Sequence, residues 1–340
     1  MDNQQFEFVL FDRIEKIKQI NEQYDLENNG YISFSGGKDS TILHYLIDLA
    51  LPNNKIPRLF LNTGIEYNDI VNYVKELAKQ DDRIIIYNSG VNIKQTLEEY
   101  GYPFKSKQHS HNYEIYLNNK NAINEHIKQI KNNPALLKNY NFISNLPKGV
   151  KTIIKYIYGI RERERESCIS TKNCPEVLLY QFEGKFTLNC SDKCCFKLKK
   201  QPALKYAKDN NKTITITGIR GEEGGMRNQG GCTIFEGNDL KKFHPLKPIN
   251  EDFENWFINH YNIKLCKLYY PPFNFKRTGC KGCPFALDLQ NQLDIMEELL
   301  PNEKKQCENI WKPVYDEYRR IGYRLNKKSN QMTIFDFMED

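Results

Sequence analysis

Apolar residues recur at three-residue steps through Phe8, Phe11, Ile14, Ile17 and Ile20, which predicts an amphipathic helix over residues 6–24. Asn28-Asn29-Gly30 interrupts it, and Tyr31-Ile32-Ser33-Phe34 follows as a short β-prone run. Thr41 to Leu51 repeats with helical period until Pro52 stops it. A strand over Arg58–Asn62, a helix over Asn68–Lys79 and a strand over Arg83–Tyr87 come next. Strands alternating with helices over short connections predict crossover units, hence an α/β fold on a parallel sheet. The strand pattern returns at Thr213–Thr217, and residues 240–300 close the domain with aromatics and helices.

Residues 105–165 are polar and rich in Asn and Lys, with helical patches such as Ala122–Ile130, and read as a helical insertion or lid. Within Arg161-Glu162-Arg163-Glu164-Arg165-Glu166 the charges alternate in sign, which reads as a solvated helix face. The organisation expected is an N-terminal helix (1–27), a main domain (28–300), a C-terminal helix (301–326) and a flexible tail (327–340).

Composition narrows the class. With 340 residues, 39% of them hydrophobic and 12% aromatic, the chain can bury a sizeable core. No apolar run approaches the ~20 residues that span a bilayer, so no membrane is expected. The first residues lack a signal-peptide pattern, which implies a reducing, cytoplasmic compartment. There the ten cysteines point to metal or redox chemistry instead of disulfides. A net charge of +6 permits a nucleic-acid contact and demands none.

The sharpest local signal is Ser35-Gly36-Gly37-Lys38-Asp39-Ser40, which follows a strand and opens a helix. Adjacent glycines allow a tight turn, and the helix start adds unpaired N–H groups and a positive dipole end. Hydroxyls from Ser35 and Ser40 and the Lys38 ammonium can add donors to phosphate oxygens. Asp39 suits a magnesium ion or loop-shaping hydrogen bonds.

This loop resembles the signature of the PP-loop ATP pyrophosphatase superfamily. Within it the chain is similar to the phosphoadenosine phosphosulfate reductase family. Leu61-Asn62-Thr63-Gly64-Ile65-Glu66 resembles that family's Asp-Thr-Gly turn, with Asn62 in place of the acid. Thr217-Gly218-Ile219-Arg220-Gly221-Glu222-Glu223, followed by Arg227, resembles its substrate segment, with Gly224 where serine is usual. The resemblance implies a Rossmann-like (HUP-type) sheet flanked by helices, with an α-rich C-terminal part. It also implies a nucleotide, ATP or adenylyl sulfate, held by residues 35–40, Asn62, Thr63, Gly64, Gly218, Arg220 and Glu223, with Lys38, Asp39, Arg220 and Arg227 as the catalytic set.

Cys194-Cys195 and Cys280-Lys281-Gly282-Cys283 form a second constellation. Four thiolates suit zinc or an iron–sulfur cubane, and spacing alone leaves both open, together with unligated thiols. A Cys-Cys pair followed some eighty residues later by Cys-x-x-Cys is similar to the ligand pattern of the family's [4Fe-4S] adenylyl-sulfate reductases, which favours the cluster. Cys190 reads as a reserve thiol, and Cys168, Cys174, Cys232 and Cys266 as small packed hydrophobes. The reductases' Glu-Cys-Gly-Leu-His motif is missing. Cys307, in Gln306-Cys307-Glu308, reads as a helix-core cysteine.

His244 reads as a packing histidine, Tyr269-Tyr270-Pro271-Pro272-Phe273 as a rigid wall with stacking potential, and His109 and His111 as part of a surface loop or a fold-over segment. Gln331-Met332-Thr333-Ile334-Phe335 resembles the peptide by which bacterial DNA-processing proteins bind the replication sliding clamp.

Three functions follow as expectations. The first is ATP cleavage to AMP and pyrophosphate, activating an acceptor for iron–sulfur-assisted sulfur transfer, as in the family's DNA-phosphorothioation members, with a thiol or sulfur-donor protein as partner. The second is reduction of an adenylyl sulfate to sulfite. The third is a non-catalytic nucleotide sensor docking on DNA machinery.

Overall fold

The computed structural model describes residues 3–163, 166–169, 173–184, 186–223 and 231–327. In chain order the elements begin α1 (Asn3–Tyr24), α2 (Leu26–Asn29), β1 (Gly30–Ser33), α3 (Lys38–Ala50), β2 (Arg58–Asn62), α4 (Asn68–Ala78) and β3 (Ile84–Asn88). Next come α5 (Ile93–Tyr100), α6 (Lys107–Asn118), α7 (Lys120–Asn132), α8 (Tyr140–Ser144), α9 (Lys148–Tyr158), β4 (Ile160–Arg163) and β5 (Glu166–Ile169). The remainder is α10 (Lys193–Cys195), α11 (Gln201–Asp209), β6 (Ile214–Ile216), β7 (Thr233–Glu236), β8 (Asp239–Phe243), α12 (Glu251–His260), α13 (Leu289–Leu299), α14 (Pro301–Ile310) and α15 (Lys312–Ile321).

The chain forms two compact units, one of residues 1–91 and 197–281, the other of residues 92–196 and 282–340. The first holds a six-stranded sheet in the order β3-β2-β1-β6-β8-β7. All neighbours pair in parallel except β7, which runs antiparallel to β8 at the edge. The chain winds outward from β1 through β2 to β3, then returns to lay β6 on the other side of β1. The order therefore reverses between β1 and β6, and in open α/β sheets the carboxyl end of that switch point is where ligands sit. The predicted strands at 31–34, 58–62, 83–87 and 213–217 all appear, shifted by a residue or so. β7 precedes the region read as aromatics and helices and β8 opens it; Asp239-Leu240-Lys241-Lys242-Phe243 is charged enough to hide the strand that pairs β6 with the edge.

The N-terminal helix forms, but its buried face is Phe6, Leu10, Arg13, Ile17 and Ile20. Phe8 and Phe11 are exposed. A stripe stepping by three residues drifts about 60° per step and leaves one face, whereas alternating steps of four and three hold it. α1 packs on α3, and Phe6 stacks on Trp256 of α12 with ring centroids 5.5 Å apart.

A buried polar rivet fixes α3 to the sheet. Arg58 on β2 is fully buried, donating to Asp48 Oδ1 (2.7 Å), Asn54 Oδ1 (2.8 Å) and His44 Nδ1 (3.2 Å). Arg83 reaches the same Asp48 carboxylate. Burial, and next the Arg58 charge, push the His44 pKa down to about 4, which keeps its ring neutral and able to accept. Losing one partner of such a network leaves a buried charge uncompensated, at a cost of about 3–5 kcal/mol.

The second unit has its own core. The stretch read as a polar insertion is α6 to α9, and Tyr113, Tyr116, Ile123, Ile143, Ile153 and Ile154 are buried there among polar exposed faces. His109, expected in a surface loop or a fold-over segment, is 1% exposed. It is bonded through Nδ1 to the Tyr156 hydroxyl (2.8 Å) and through Nε2 to Gln181 Oε1 (2.7 Å). Of the alternating run, Arg161, Glu162 and Arg163 lie in β4 and Glu166 opens β5, and these strands pair antiparallel with Glu162 opposite Ser167, where a helix face was expected. Charge alternation has a period of two, which is the period of a strand.

Candidate nucleotide site

The loop after β1, the turn after β2 and the segment after β6 all belong to the first unit and leave the carboxyl edge of its sheet. Gly36 sits at φ +68°, and a Cβ there would meet Val74 Cγ2 at 2.7 Å, so glycine is required both for conformation and for space. Ser40 is buried, and its hydroxyl accepts from the Ser35 N–H (3.1 Å) and donates to the Gly37 carbonyl (2.9 Å). Ser35 Oγ lies 3.0 Å from Ser40 Oγ. The two serines thus brace the loop from inside.

Lys38 opens α3. Its N–H donates to the Tyr269 phenol oxygen (2.9 Å), which lies 2.6 Å from Thr278 Oγ1. Burial raises the Tyr269 pKa to about 12, so the phenol stays protonated. The aromatic stretch expected to form a wall therefore reaches the loop backbone itself. Thr63, in the turn after β2, donates its N–H to Glu66 Oε2 (2.9 Å), and Lys199 Nζ stands 3.5 Å from Glu66 Oε1. Asn62 donates to Asn88 Oδ1 (3.0 Å) and is half-buried.

Gly218 approaches the start of α3 so closely that a Cβ would lie 2.9 Å from the Asp39 carbonyl oxygen. That contact brings Arg220 to the loop, with Nε 3.8 Å from Asp39 Oδ1. Between Lys38 and Arg220 lies a residue that the sequence reading missed. Glu254 on α12 is fully buried, its oxygens 3.0 Å from Lys38 Nζ and 3.2 Å from Arg220 Nε. Neither oxygen receives an aligned hydrogen bond at those distances, so the interaction is charge against charge. Desolvation raises the Glu254 pKa, the Asp39 charge raises it further, and Lys38 and Arg220 oppose both. The sequence does carry a trace of this: Glu254 shares a helix arc with Phe253, Phe257 and Ile258, an odd place for an acid.

Arg220 also donates to Glu222 Oε2 (3.2 Å). Glu223 ends the short turn that follows; its side chain, Arg227 and the tail motif at 331–335 lie outside the described residues. His244 is buried as a packing histidine, with Nδ1 2.6 Å from Thr217 Oγ1 and burial lowering its pKa to about 4.

No disulfide joins any of the ten cysteines. Cys280 belongs to the first unit and Cys194, Cys195 and Cys283 to the second. Cys194 is buried, while Cys195, Cys280 and Cys283 are partly accessible. Gly282, at φ +58°, is held by a hydrogen bond from the Tyr315 hydroxyl to its carbonyl; a Cβ there would come within 2.8 Å of Cys307 Sγ. Cys307 is fully buried in α14, as expected. Cys174 and Cys266 pack as expected, but Cys168 is exposed on a hairpin strand and Cys232 is partly accessible. Two trios, His44-Asp48-Asp81 and His111-Glu114-Asp192, bring potential metal donors within 4.8 Å among the described residues. In the first, Arg58 and Arg83 already engage the carboxylates.

A helix start, a lysine and an arginine converge at the switch point of a parallel sheet in an α/β protein of Rossmann-like fold, an arrangement with the chemistry to take a phosphate-sized anion. The chain matches the phosphoadenosine phosphosulfate reductase domain family over residues 29–143 and 149–286, and it belongs to that family. The family is one of enzymes that bind adenine nucleotides. An uncharacterized protein of Methanocaldococcus jannaschii is 34% identical over 103 residues, 28% of this chain; the chain spans only 25% of that relative's length. Among solved structures, phosphoadenylyl-sulfate reductase from Candida auris aligns at TM-score 0.41 and 11% identity, covering 82% of this chain and 96% of that one. The U34-tRNA thiolase NcsA from Methanococcus maripaludis, solved with its [4Fe-4S] cluster, aligns at TM-score 0.35 and 14% identity over 93% and 80%. No helix among the described residues is long and apolar enough to cross a membrane.

Proposed function

We propose that the protein cleaves ATP between the α- and β-phosphates at the 35–40 loop and adenylylates an acceptor, which then exchanges oxygen for sulfur. The observation that carries this reading is the Lys38–Glu254–Arg220 trio, in which two cations stand at the loop with a fully buried carboxylate behind them. Lys38 and the start of α3 hold the departing pyrophosphate, Arg220 orients the α-phosphate, and Asp39 takes Mg²⁺ with the polyphosphate. An acceptor oxygen bonds to the α-phosphorus, the bridging P–O bond breaks, and pyrophosphate leaves with the electron pair. A persulfide from a sulfur-donor partner then displaces AMP as the acceptor–oxygen bond breaks, and a second thiol of that partner cleaves the S–S bond, leaving sulfur on the acceptor and a disulfide on the partner.

Cys194, Cys195, Cys280 and Cys283 would match, in number and kind of ligand, the four thiolates of a [4Fe-4S] cluster. Bound there, a cluster would supply a soft site for sulfur. In the second unit, Tyr315 and Gly282 fix the Cys283 turn, and Tyr318 adds a bond to the Pro284 carbonyl at 3.0 Å. The tail motif at 331–335 would tether the enzyme to a sliding clamp.

The reductase alternative needs a nucleophilic cysteine beyond Cys283, and the candidate, Cys307, is fully buried beneath Gly282. Product analysis separates the readings. Under anaerobic conditions ATP and Mg²⁺ with an acceptor should yield pyrophosphate, and adenylyl sulfate with thioredoxin should yield no sulfite. Sulfite release would establish the reductase; nucleotide binding without either product would leave a sensor.

A further inference from the structure

Residues 261–281 contain five cations, Lys264, Lys267, Lys276, Arg277 and Lys281, and no Asp or Glu. Tyr261, Tyr269, Tyr270, Phe273 and Phe275 are interleaved with them. Basic residues alternating with aromatics are the composition of surfaces that bind single-stranded nucleic acid, where cations follow the backbone and rings stack on bases. The structure gives this stretch a cleft. An open cavity of about 380 Å³ lies in the first unit between α12 and residues 265–276, with Lys38 at one wall beside Glu251, the one acid of the lining, whose Oε1 is 3.9 Å from the Lys38 Nζ.

The lining has the right chemistry for a base. Asn255 and Asn259, one helical turn apart on α12, and Asn274 opposite them supply amides that can both donate and accept along a base edge. Tyr270, 42% exposed, offers a ring face, and Phe275 adds apolar depth. All three asparagines are exposed. Lys267 is held by Asp69 at 2.9 Å, whereas Lys264 adjoins the cleft residue Leu265 and Lys276 lines the cleft directly.

We propose that this cleft receives an unpaired base of a single-stranded nucleic acid, its backbone following Lys264, Lys276 and Arg277, and that this base is the acceptor. The inference rests on the adenylylation reading for the acceptor role; the binding claim stands on the cleft. Lys38 is the one side chain that both lines the cleft and opens the nucleotide helix, so a base seated there lies beside the loop.

The test is equilibrium binding of fluorescein-labelled mixed-sequence 20-mers of single-stranded RNA and DNA to the full chain, measured by anisotropy across a salt series. The expected log–log salt slope is about −2, falling by about 1.4 in the Lys264→Ala/Lys276→Ala double variant, since each single-strand phosphate contact contributes about 0.7. Tyr270→Ala should weaken binding about 5- to 100-fold by loss of a stacking ring. Asn255→Ala/Asn259→Ala, which leaves the loop at 265–276 untouched, should weaken it as well while the ATP affinity holds. Stronger binding of one oligonucleotide identifies the nucleic acid used. Oligonucleotides that do not bind, or variants that bind as the parent does, overturn the proposal. So does a loss of ATP affinity in the asparagine variant, which would give the cleft to the nucleotide's own base. The assay needs no turnover, so a missing pyrophosphate product would sink the adenylylation reading and leave this result standing.

Discussion

If the loop takes ATP as proposed, Glu254 should make that binding a proton-coupled event. In the free protein its buried carboxylate is balanced by Lys38 at 3.0 Å and Arg220 at 3.2 Å. A polyphosphate draws both cations toward itself and brings negative charge of its own. At an effective dielectric of about 20, each of those attractions amounts to about 5 kcal/mol. Retaining only a fifth of their sum after relaxation still raises the carboxyl pKa by about 1.5 units. Desolvation and Asp39 already hold that pKa above the ordinary carboxylate range, so the complex binds a proton more strongly than the free protein. ATP binding therefore takes up protons near neutrality. Affinity falls as pH rises between the free and bound pKa values, by at most about tenfold per pH unit. Calorimetric titration in two buffers of different ionisation enthalpy measures the uptake directly, with a predicted value between about 0.3 and 1 proton at pH 7.5. Glu254→Gln should abolish the uptake and flatten the pH profile. An apparent enthalpy independent of buffer in the parent protein would refute the reasoning without recourse to any variant.

Other expectations follow from the same contacts. Gly36→Ala should unseat the loop, because its Cβ would meet Val74 and its backbone is left-handed; loss of ATP binding with a retained circular-dichroism spectrum checks this. His44 and His109 are held neutral by burial at pKa about 4, while their unfolded rings titrate near 6.5. Stability is thus intact above pH 6.5 and falls below it, by about 2 kcal/mol for each ring at pH 5, readable as a lowered urea midpoint. Anaerobically purified protein should be brown, with about four iron and four acid-labile sulfide per chain, and Cys283→Ser should bleach it; a colourless protein with one zinc would displace the cluster. Tyr315→Phe removes the hydroxyl that holds the Gly282 carbonyl and should lower iron retention while the protein stays folded.

The parallel sheet was legible because strand and helix periods alternate cleanly through residue 88, and the position of the glycine turn between β1 and α3 because two adjacent glycines separate a β-prone run from a helical one. What escaped depends on distance in the chain. Glu254 meets Lys38 across more than two hundred residues, and no local pattern announces an ion pair of that kind. Tyr269 was singled out as a wall, but its bond to the Lys38 backbone needed the fold. The exposed Phe8 and Phe11 show how a three-residue step imitates a helical stripe. The antiparallel pair β4 and β5 shows the converse error, a strand's period in charges taken for a helix surface.

The central claim is that the loop directs cleavage at the α-phosphate. Anaerobic incubation with ATP labelled at the α-phosphorus, Mg²⁺ and single-stranded nucleic acid tests it most directly. The account predicts AMP and pyrophosphate in equal amounts, label appearing transiently on the acceptor, and loss of both in Lys38→Ala. Release of ADP and phosphate, or an unchanged yield in that variant, would contradict it.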